Sequence, residues 1–284
     1  MMTYNVPLDT IRQARERIHG YVRHTPIAPL PPLTSDASPN LRLKLENMQV
    51  SGSFKPRGVF NNLLQLDSEA RKRGVIGASG GNHGVALAYG AHRLGIPAVV
   101  YLPLSASADR VARVKVWGAE LVQFGAVWDE THAEASRRAA AEGMTYIHPF
   151  DNDNTIAGQG TLGLELLDDV PDMDCVLIAI GGGGLIGGMA AAIKQVKPNV
   201  RVIGVEPVGA ASLKHSLDFG RVEPLPEVRT IADTLAPRSV SQRTLDLAQR
   251  YVDQVVLVED AAMIESMRWL WLHYNQLVEH AGAA

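Results

Sequence analysis

The chain is poor in the features that mark several protein classes. One cysteine, Cys175, in 284 residues excludes a disulfide framework and a multi-cysteine zinc site. No charge dominates: 27 Lys and Arg stand against 30 Asp and Glu, a formal net charge of −3. That leaves no electrostatic footprint for nucleic acid or for an anionic membrane. No apolar run approaches the roughly 20 residues of a bilayer-spanning helix. The first residues, Met1-Met2-Thr3-Tyr4-Asn5-Val6-Pro7, lack the basic-then-apolar layout of a secretory signal. Tandem repeats, low-complexity tracts, charged tails and a G-x-x-x-x-G-K-[ST] P-loop are missing as well. What is there is an ordinary globular composition, 46% hydrophobic and 20% charged, enough for a core without staples. It predicts a cytoplasmic soluble enzyme or small-molecule binder, built as one large domain or two modest ones.

Short apolar runs alternate with alanine-rich amphipathic stretches. Strands are expected over residues 74–79, 98–102, 119–124, 144–148, 175–180 and 200–205, and helices over 83–94, 111–117, 129–142, 159–167 and 189–196. Asp129 is placed to cap the third of these helices, and Gly95-Ile96-Pro97 ends the first. The run from Cys175 to Ile180 is uniformly apolar, the pattern of a buried parallel strand. Alternation at this spacing predicts an α/β fold with parallel sheet. Residues 75–147 read as a self-contained smaller domain, with 1–74 and 148–284 making a larger one.

Three loops carry the chemistry. Gly181-Gly182-Gly183-Gly184-Leu185-Ile186-Gly187-Gly188 follows an apolar run and opens a helix. Glycine at six of eight positions lets backbone N–H groups approach an anion, and the helix N-terminus favours negative charge. A plain strand–helix turn needs only one or two glycines, so a phosphate site is the natural reading. Gly182, Gly184 and Gly187 also match G-x-G-x-x-G, with Glu206 19 residues further on, so the loop taken alone favours a nicotinamide or flavin cofactor. In Ser51-Gly52-Ser53-Phe54-Lys55-Pro56-Arg57-Gly58 a lysine sits between an aromatic and a proline. A partly desolvated pocket lowers an amine's pKa and makes it a nucleophile; the plainer alternative is a surface lysine near a helix start. Ala78-Ser79-Gly80-Gly81-Asn82-His83-Gly84 again joins strand to helix. Its backbone N–H groups and the Ser79 hydroxyl suit a carboxylate, and Asn82 offers both donor and acceptor. His83 reads as a general base or, better for a first-turn residue, as a structural hydrogen-bonding one.

In this order and spacing, the segments 51–58, 79–84 and 181–184 resemble the β-family (fold type II) of pyridoxal-phosphate enzymes, nearest to threonine/serine dehydratases and serine racemases. His148-Pro149-Phe150-Asp151, Ile156-Ala157-Gly158-Gln159-Gly160-Thr161, Gly204-Val205-Glu206-Pro207, Thr230-Ile231-Ala232-Asp233 and Glu279-His280-Ala281-Gly282-Ala283 agree, so the resemblance spans nearly the whole chain. It implies a two-domain, tryptophan synthase β-like fold with parallel-rich sheets flanked by helices, a pyridoxal 5'-phosphate cofactor, an amino-acid substrate and a homodimer. Residue by residue, it implies that Lys55 bonds the cofactor aldehyde and removes the Cα proton. Phe54 would lie near the pyridine, Asn82 on the 3′-oxygen, Gly181, Gly182, Gly183 and Gly184 on the 5′-phosphate, and Glu279 in the cofactor site. Ser79, Gly80, Asn82 and His83 would hold the substrate carboxylate, on a small domain that closes over it. The implied reaction is α,β-elimination of L-threonine or L-serine to a 2-oxo acid and ammonia.

Racemisation needs a second acid–base group on the opposite cofactor face. Serine racemases place a serine where this chain has Gly80, and tend to carry a polar residue where it has Phe150, so elimination is favoured. A racemase, and 3-hydroxyaspartate or a phenylserine as substrate, are the alternatives within the family. Thr234 stands where many relatives have glycine, near the expected cofactor edge, and His280 replaces the usual proline of Glu-Pro-Ala-Gly. The divalent-cation site of some relatives maps to Glu206, the Ala210 carbonyl and Ser212, which lacks the charge, so no metal is expected. The chain ends at Ala284, before the loop with which relatives contact the pyridine nitrogen, so it reads as cut short or as lacking that contact. Outside the family, the readings are an NAD-dependent oxidoreductase with Glu206 on a ribose, and a silent binder of the same fold.

Overall fold

The computed structural model describes residues 3–30, 40–79 and 81–284; Gly80 lies outside the described residues. Helix α1 (Leu8–Ile18) is followed by an antiparallel pair, β1 (Ile27–Pro29) and β2 (Arg42–Lys44). Next come α2 (Lys55–Leu63) and α3 (Ser68–Arg73). Asp67 caps α3 by accepting the Ala70 N–H, and Gly74, at φ +88°, turns the chain out of the helix.

A four-stranded parallel sheet then forms from β3 (Val75–Ala78), β4 (Ala98–Leu102), β5 (Glu120–Gln123) and β6 (Thr145–Tyr146), in the order β5-β4-β3-β6. Its connections are α4 (Asn82–Leu94), α5 (Ala108–Lys115) and α6 (Trp128–Glu142). Alternate strand residues face opposite layers. Val75, Val100 and Leu102 pack with Val85 and Leu87 of α4 and Val114 of α5, whereas Ile76, Val99 and Tyr101 pack with Ala135 and Ala139 of α6. Helix α2 adds Val59 and Leu63 to the first layer, so the helix that begins at Lys55 is anchored against this sheet's helices.

The rest of the chain supplies α7 (Asp153–Asp169), β7 (Cys175–Ala179), α8 (Gly184–Val196), β8 (Arg201–Pro207), α9 (Ser212–Phe219), α10 (Gln242–Tyr251), β9 (Gln254–Val258) and α11 (Asp260–Tyr274). The strands form a parallel sheet in the order β7-β8-β9. The main core joins Ile11 of α1, Ile156 and Leu162 of α7, Ile178 of β7, Ile186 and Ile193 of α8, and Leu247 of α10. Each such buried aliphatic contributes about 1.5–3 kcal/mol. Helices α2, α7 and α8 approach closely through glycine. A Cβ on Gly158 would meet the Arg57 carbonyl at 2.6 Å, and one on Gly188 the Ile156 carbonyl at 2.3 Å.

Two local expectations change. Asp129 lies inside the first turn of α6, with Val127 at the cap position. It complements the helix dipole from there, while Glu130 reaches back to accept the Ala126 N–H. β7 is covered on one face only: Val176 and Ile178 are buried but Leu177 is 59% exposed. β7 is an edge strand, and Leu177 looks into the large cavity described next. An apolar run does not distinguish one covered face from two.

Candidate active site

A cavity of about 1670 Å³ brings the three loops together, lined by Phe54, Lys55, Ser79, Asn82, His83, and Gly181 to Gly184. Lys55 sits at the first position of α2, followed by Pro56, whose fixed φ suits a helix start. Its Nζ donates to the Pro149 carbonyl at 3.0 Å and stands 5.0 Å from the centre of the Phe54 ring. Burial disfavours the ammonium and brings the amine down to about 8, against the opposing pull of Glu279. Phe54 itself packs on the main core.

The glycine loop leaves β7 and enters α8. No backbone N–H of Gly181, Gly182, Gly183 or Gly184 is bonded to another described residue. Gly183 has φ +84°, where a side chain is strained. A Cβ on Gly182 would fall 2.3 Å from the Phe150 ring, and one on Gly184 2.9 Å from the Phe150 Cβ, so Phe150 is seated directly against the loop. The remaining glycines serve packing. Gly188 abuts α7, and a Cβ on Gly187 would lie 3.0 Å from Leu247. The G-x-G-x-x-G match thus joins two loop glycines to a third that faces α10.

Asn82 opens α4, is buried, and donates Nδ2 to Glu279 Oε1 at 2.7 Å. Thr234 Oγ1 reaches the same oxygen at 3.5 Å, and the Thr234 carbonyl oxygen lies 2.9 Å from where a Cβ on Gly181 would be. Ser79 Oγ accepts the Gly81 N–H at 3.2 Å. His83 is buried and donates Nε2–H to the Ile147 carbonyl at 2.8 Å. Burial first, and then the nearby Lys55, lowers its pKa to about 3. The ring is therefore neutral with Nε2–H committed to that carbonyl, which fits the structural reading, and its Nδ1 is left as an acceptor.

Sequence reasoning missed two groups. The Pro149 carbonyl that holds Lys55 leaves no side-chain signal. His148 is the device behind it: its Nδ1 accepts the N–H of Phe150 at 3.2 Å and of Asp151 at 2.7 Å, and burial lowers its pKa to about 3. A neutral imidazole thus fixes the corner that presents Pro149 and Phe150.

The two weak metal candidates do not face this cavity. Ala210 is buried in a short turn after β8. Glu206 is fully buried and accepts the N–H of Leu213 and of Lys214, both at 2.8 Å, so it caps α9. Among the described residues no group of three or more His, Cys, Asp or Glu is placed to hold a metal ion. Burial pushes the Glu206 carboxyl up to about 7, despite these two hydrogen bonds and Lys214. Between the ordinary glutamate range and pH 7 the folded chain holds this proton more tightly than the unfolded one, so the residue's contribution to stability falls as pH rises. Glu206→Gln should therefore gain stability relative to the native chain between pH 5 and 8. A difference in Tm that does not vary with pH would contradict this.

A half-buried amine beside a glycine-rich anion cradle defines a site for an aldehyde-bearing phosphate ester. A family model described as "Pyridoxal-phosphate dependent enzyme" matches residues 18–284, and the chain belongs to that family. It is 36% identical to the L-threonine ammonia-lyase of Thermotoga maritima over 278 residues, 98% of this chain and 69% of that protein. The structure of maize serine racemase superposes with a TM-score of 0.95 at 36% identity, covering 99% of this chain and 85% of that one. The processed form of threonine deaminase isoform 2 from Solanum lycopersicum superposes with a TM-score of 0.91 at 33% identity, covering 99% and 84%. The fold is the fold type II architecture of these proteins. The residues present fit the cofactor: Lys55 offers an amine free of any bonded carboxylate, and four unbonded glycine N–H groups offer a phosphate cradle that a Cβ would obstruct. No helix among the described residues is long and apolar enough to cross a membrane.

Proposed function

We propose that this protein is a pyridoxal-phosphate dependent lyase that eliminates water from a β-hydroxy amino acid, L-threonine or L-serine, to yield a 2-oxo acid and ammonia. The observation that carries this reading is the Lys55 amine, brought down to about 8 and aimed by a backbone carbonyl. The bound cofactor supplies the electron sink that acidifies the substrate Cα proton. Lys55 Nζ takes that proton, and its lowered pKa keeps a useful fraction unprotonated near neutrality. The N–H groups of Gly181 to Gly184 hold the phosphate at the start of α8. Asn82 and Glu279 border the cofactor, and the loop from Ser79 to His83 holds the substrate carboxylate at the start of α4. Gly80 lacks the side chain that a second proton transfer on the far face requires, which favours elimination over racemisation.

Residues 75–147 act as the smaller domain that closes over the substrate, excluding water. Among the described residues two ion pairs span its junction with the rest of the chain: Arg110 with Asp233, and Asp129 with Arg238. The reading includes a homodimer in the cytoplasm, which the family resemblance implies. The test is turnover of the cofactor-loaded protein on L-threonine and L-serine, with 2-oxo acid, ammonia and the chirality of recovered substrate followed together. Equal release of 2-oxo acid and ammonia with recovered L-substrate is expected. D-amino acid accumulating as fast as the 2-oxo acid would turn the reading to a racemase.

A further inference from the structure

One wall of the cavity is aromatic. Trp128, the first residue of α6, donates its indole N–H to the Ala78 carbonyl at 3.0 Å. Its ring stacks on His132, centroids 4.9 Å apart and planes within 6°. His132 is fixed from behind by the Tyr146 hydroxyl at 2.6 Å from Nδ1. Trp128 also lies 6.1 Å from the Phe150 ring, tilted by 32°, with His148 edge-on to both at 6.0 and 4.6 Å, and the Trp128 and Phe150 rings line the cavity. The only polar atom of the indole is thus taken by backbone, and the surface it turns to the cavity is carbon. Phe150 is equally fixed, by the glycines of the phosphate loop.

The wall's position gives it a role. Trp128 is tied to Ala78, next to Ser79, while Phe150 follows Pro149, whose carbonyl holds Lys55. It therefore runs from the loop assigned to the substrate carboxylate to the amine assigned to the Cα proton. These rings border the space between the two groups that would hold the substrate's ends. Of the arginines lining this end of the cavity, Arg110 is paired with Asp233 and Arg238 lies 4.0 Å from Asp129, while Arg113 is exposed and has no ion pair among the described residues.

We propose that Trp128 is a specificity-determining residue. With Phe150 it forms an apolar wall for the Cβ substituent, so that the enzyme takes β-hydroxy amino acids carrying a methyl or larger apolar group in preference to serine, and disfavours a carboxylate there. This rests on the elimination reading of the same cavity. A single methyl against an apolar wall discriminates by about tenfold or more, and an unpaired carboxylate against it loses its hydration without compensation.

The experiment compares kcat/KM of the cofactor-loaded native enzyme, Trp128→Ala and Trp128→Phe on L-threonine, L-serine, phenylserine and 3-hydroxyaspartate. The native enzyme should prefer threonine to serine by at least about tenfold, Trp128→Ala should bring that ratio to near one, and Trp128→Phe should keep most of it. The cofactor's visible band, unchanged in both variants, reports that the site is intact. Should Trp128→Ala fail to fold, Trp128→Leu, which keeps apolar bulk but not the ring, takes its place and should lower the ratio in part. An unchanged ratio in a variant with normal cofactor loading overturns the proposal. So does 3-hydroxyaspartate as the best native substrate, which would point instead to Arg113, an exposed cation of the lining with no ion pair among the described residues. If the loaded native protein turns over none of the four, the elimination reading fails separately. The wall is then judged by the threonine-to-serine ratio of dissociation constants, read from the shift of the cofactor band.

Discussion

Lys55→Ala should abolish stable cofactor attachment and lower turnover by at least about 10³-fold, the scale of a lost proton-transfer group compounded by a lost covalent anchor. Borohydride treatment of the native protein with pyridoxal phosphate should leave the cofactor bonded to the peptide that contains Lys55, and none in the variant. Folding should survive. The only described hydrogen-bond partner of Nζ is the Pro149 carbonyl, and removing a largely buried amine also removes its desolvation cost. A variant that unfolds would instead make Lys55 a structural residue. The pKa of about 8 adds a second readout. Attack on an aldehyde needs the neutral amine, so the rate of cofactor uptake by the cofactor-free protein should rise about tenfold per pH unit below 8 and flatten above it. A rate that does not vary with pH between 6 and 9 would separate uptake from this amine.

Much of the site was legible because glycine and lysine in a short motif carry meaning that does not depend on distant packing. The tetraglycine could be read as an anion cradle from chirality and the helix dipole alone, and the strand–helix rhythm located the parallel sheets. What was not legible depends on tertiary partners. Gly187 and Gly188 look like the rest of their loop, yet they face Leu247 and the Ile156 carbonyl. Glu206 sits at the spacing of a ribose ligand, yet its oxygens cap α9. His83 stands in a motif like a general base, yet its Nε2–H is given to a carbonyl. Trp128 carries no signal, because an aromatic at a helix start is a core residue as often as a pocket wall. In each case the residue type was visible and its partner was not.

The same dependence on partners makes Arg57 the residue whose loss should cost most in stability. It lies two positions after Lys55 on α2 and is fully buried. Its guanidinium donates to Glu46 at 2.8 Å and to Glu165 at 2.6 and 3.0 Å, tying α2 to the segment before it and to α7. Burial alone would lower its pKa, but the hydrogen bonds to Glu46 and Glu165 outweigh that and raise it. Arg57→Met keeps the volume but takes the guanidinium from two carboxylates, leaving Glu165 with Lys44 alone at 2.9 Å and Glu46 with the Thr25 hydroxyl, which should cost about 3–5 kcal/mol in urea unfolding. Adding Glu165→Met should recover part of the loss, because Lys44 keeps Asp169 at 2.7 Å and Glu46 keeps the Thr25 hydroxyl at 2.6 Å. An additive double variant would mean that the cost lay in packing rather than in stranded charge. The pH dependence separates the two further. Burial works to raise the Glu165 carboxyl, but Arg57 and Lys44 hold it below the usual range. The stability it contributes is therefore present above the ordinary glutamate pKa and lost as pH falls through the lowered one. Arg57→Met should flatten that acid limb of the stability curve. Because α2 begins at Lys55, the variant should also loosen cofactor binding at pH 7, before the fold itself is lost.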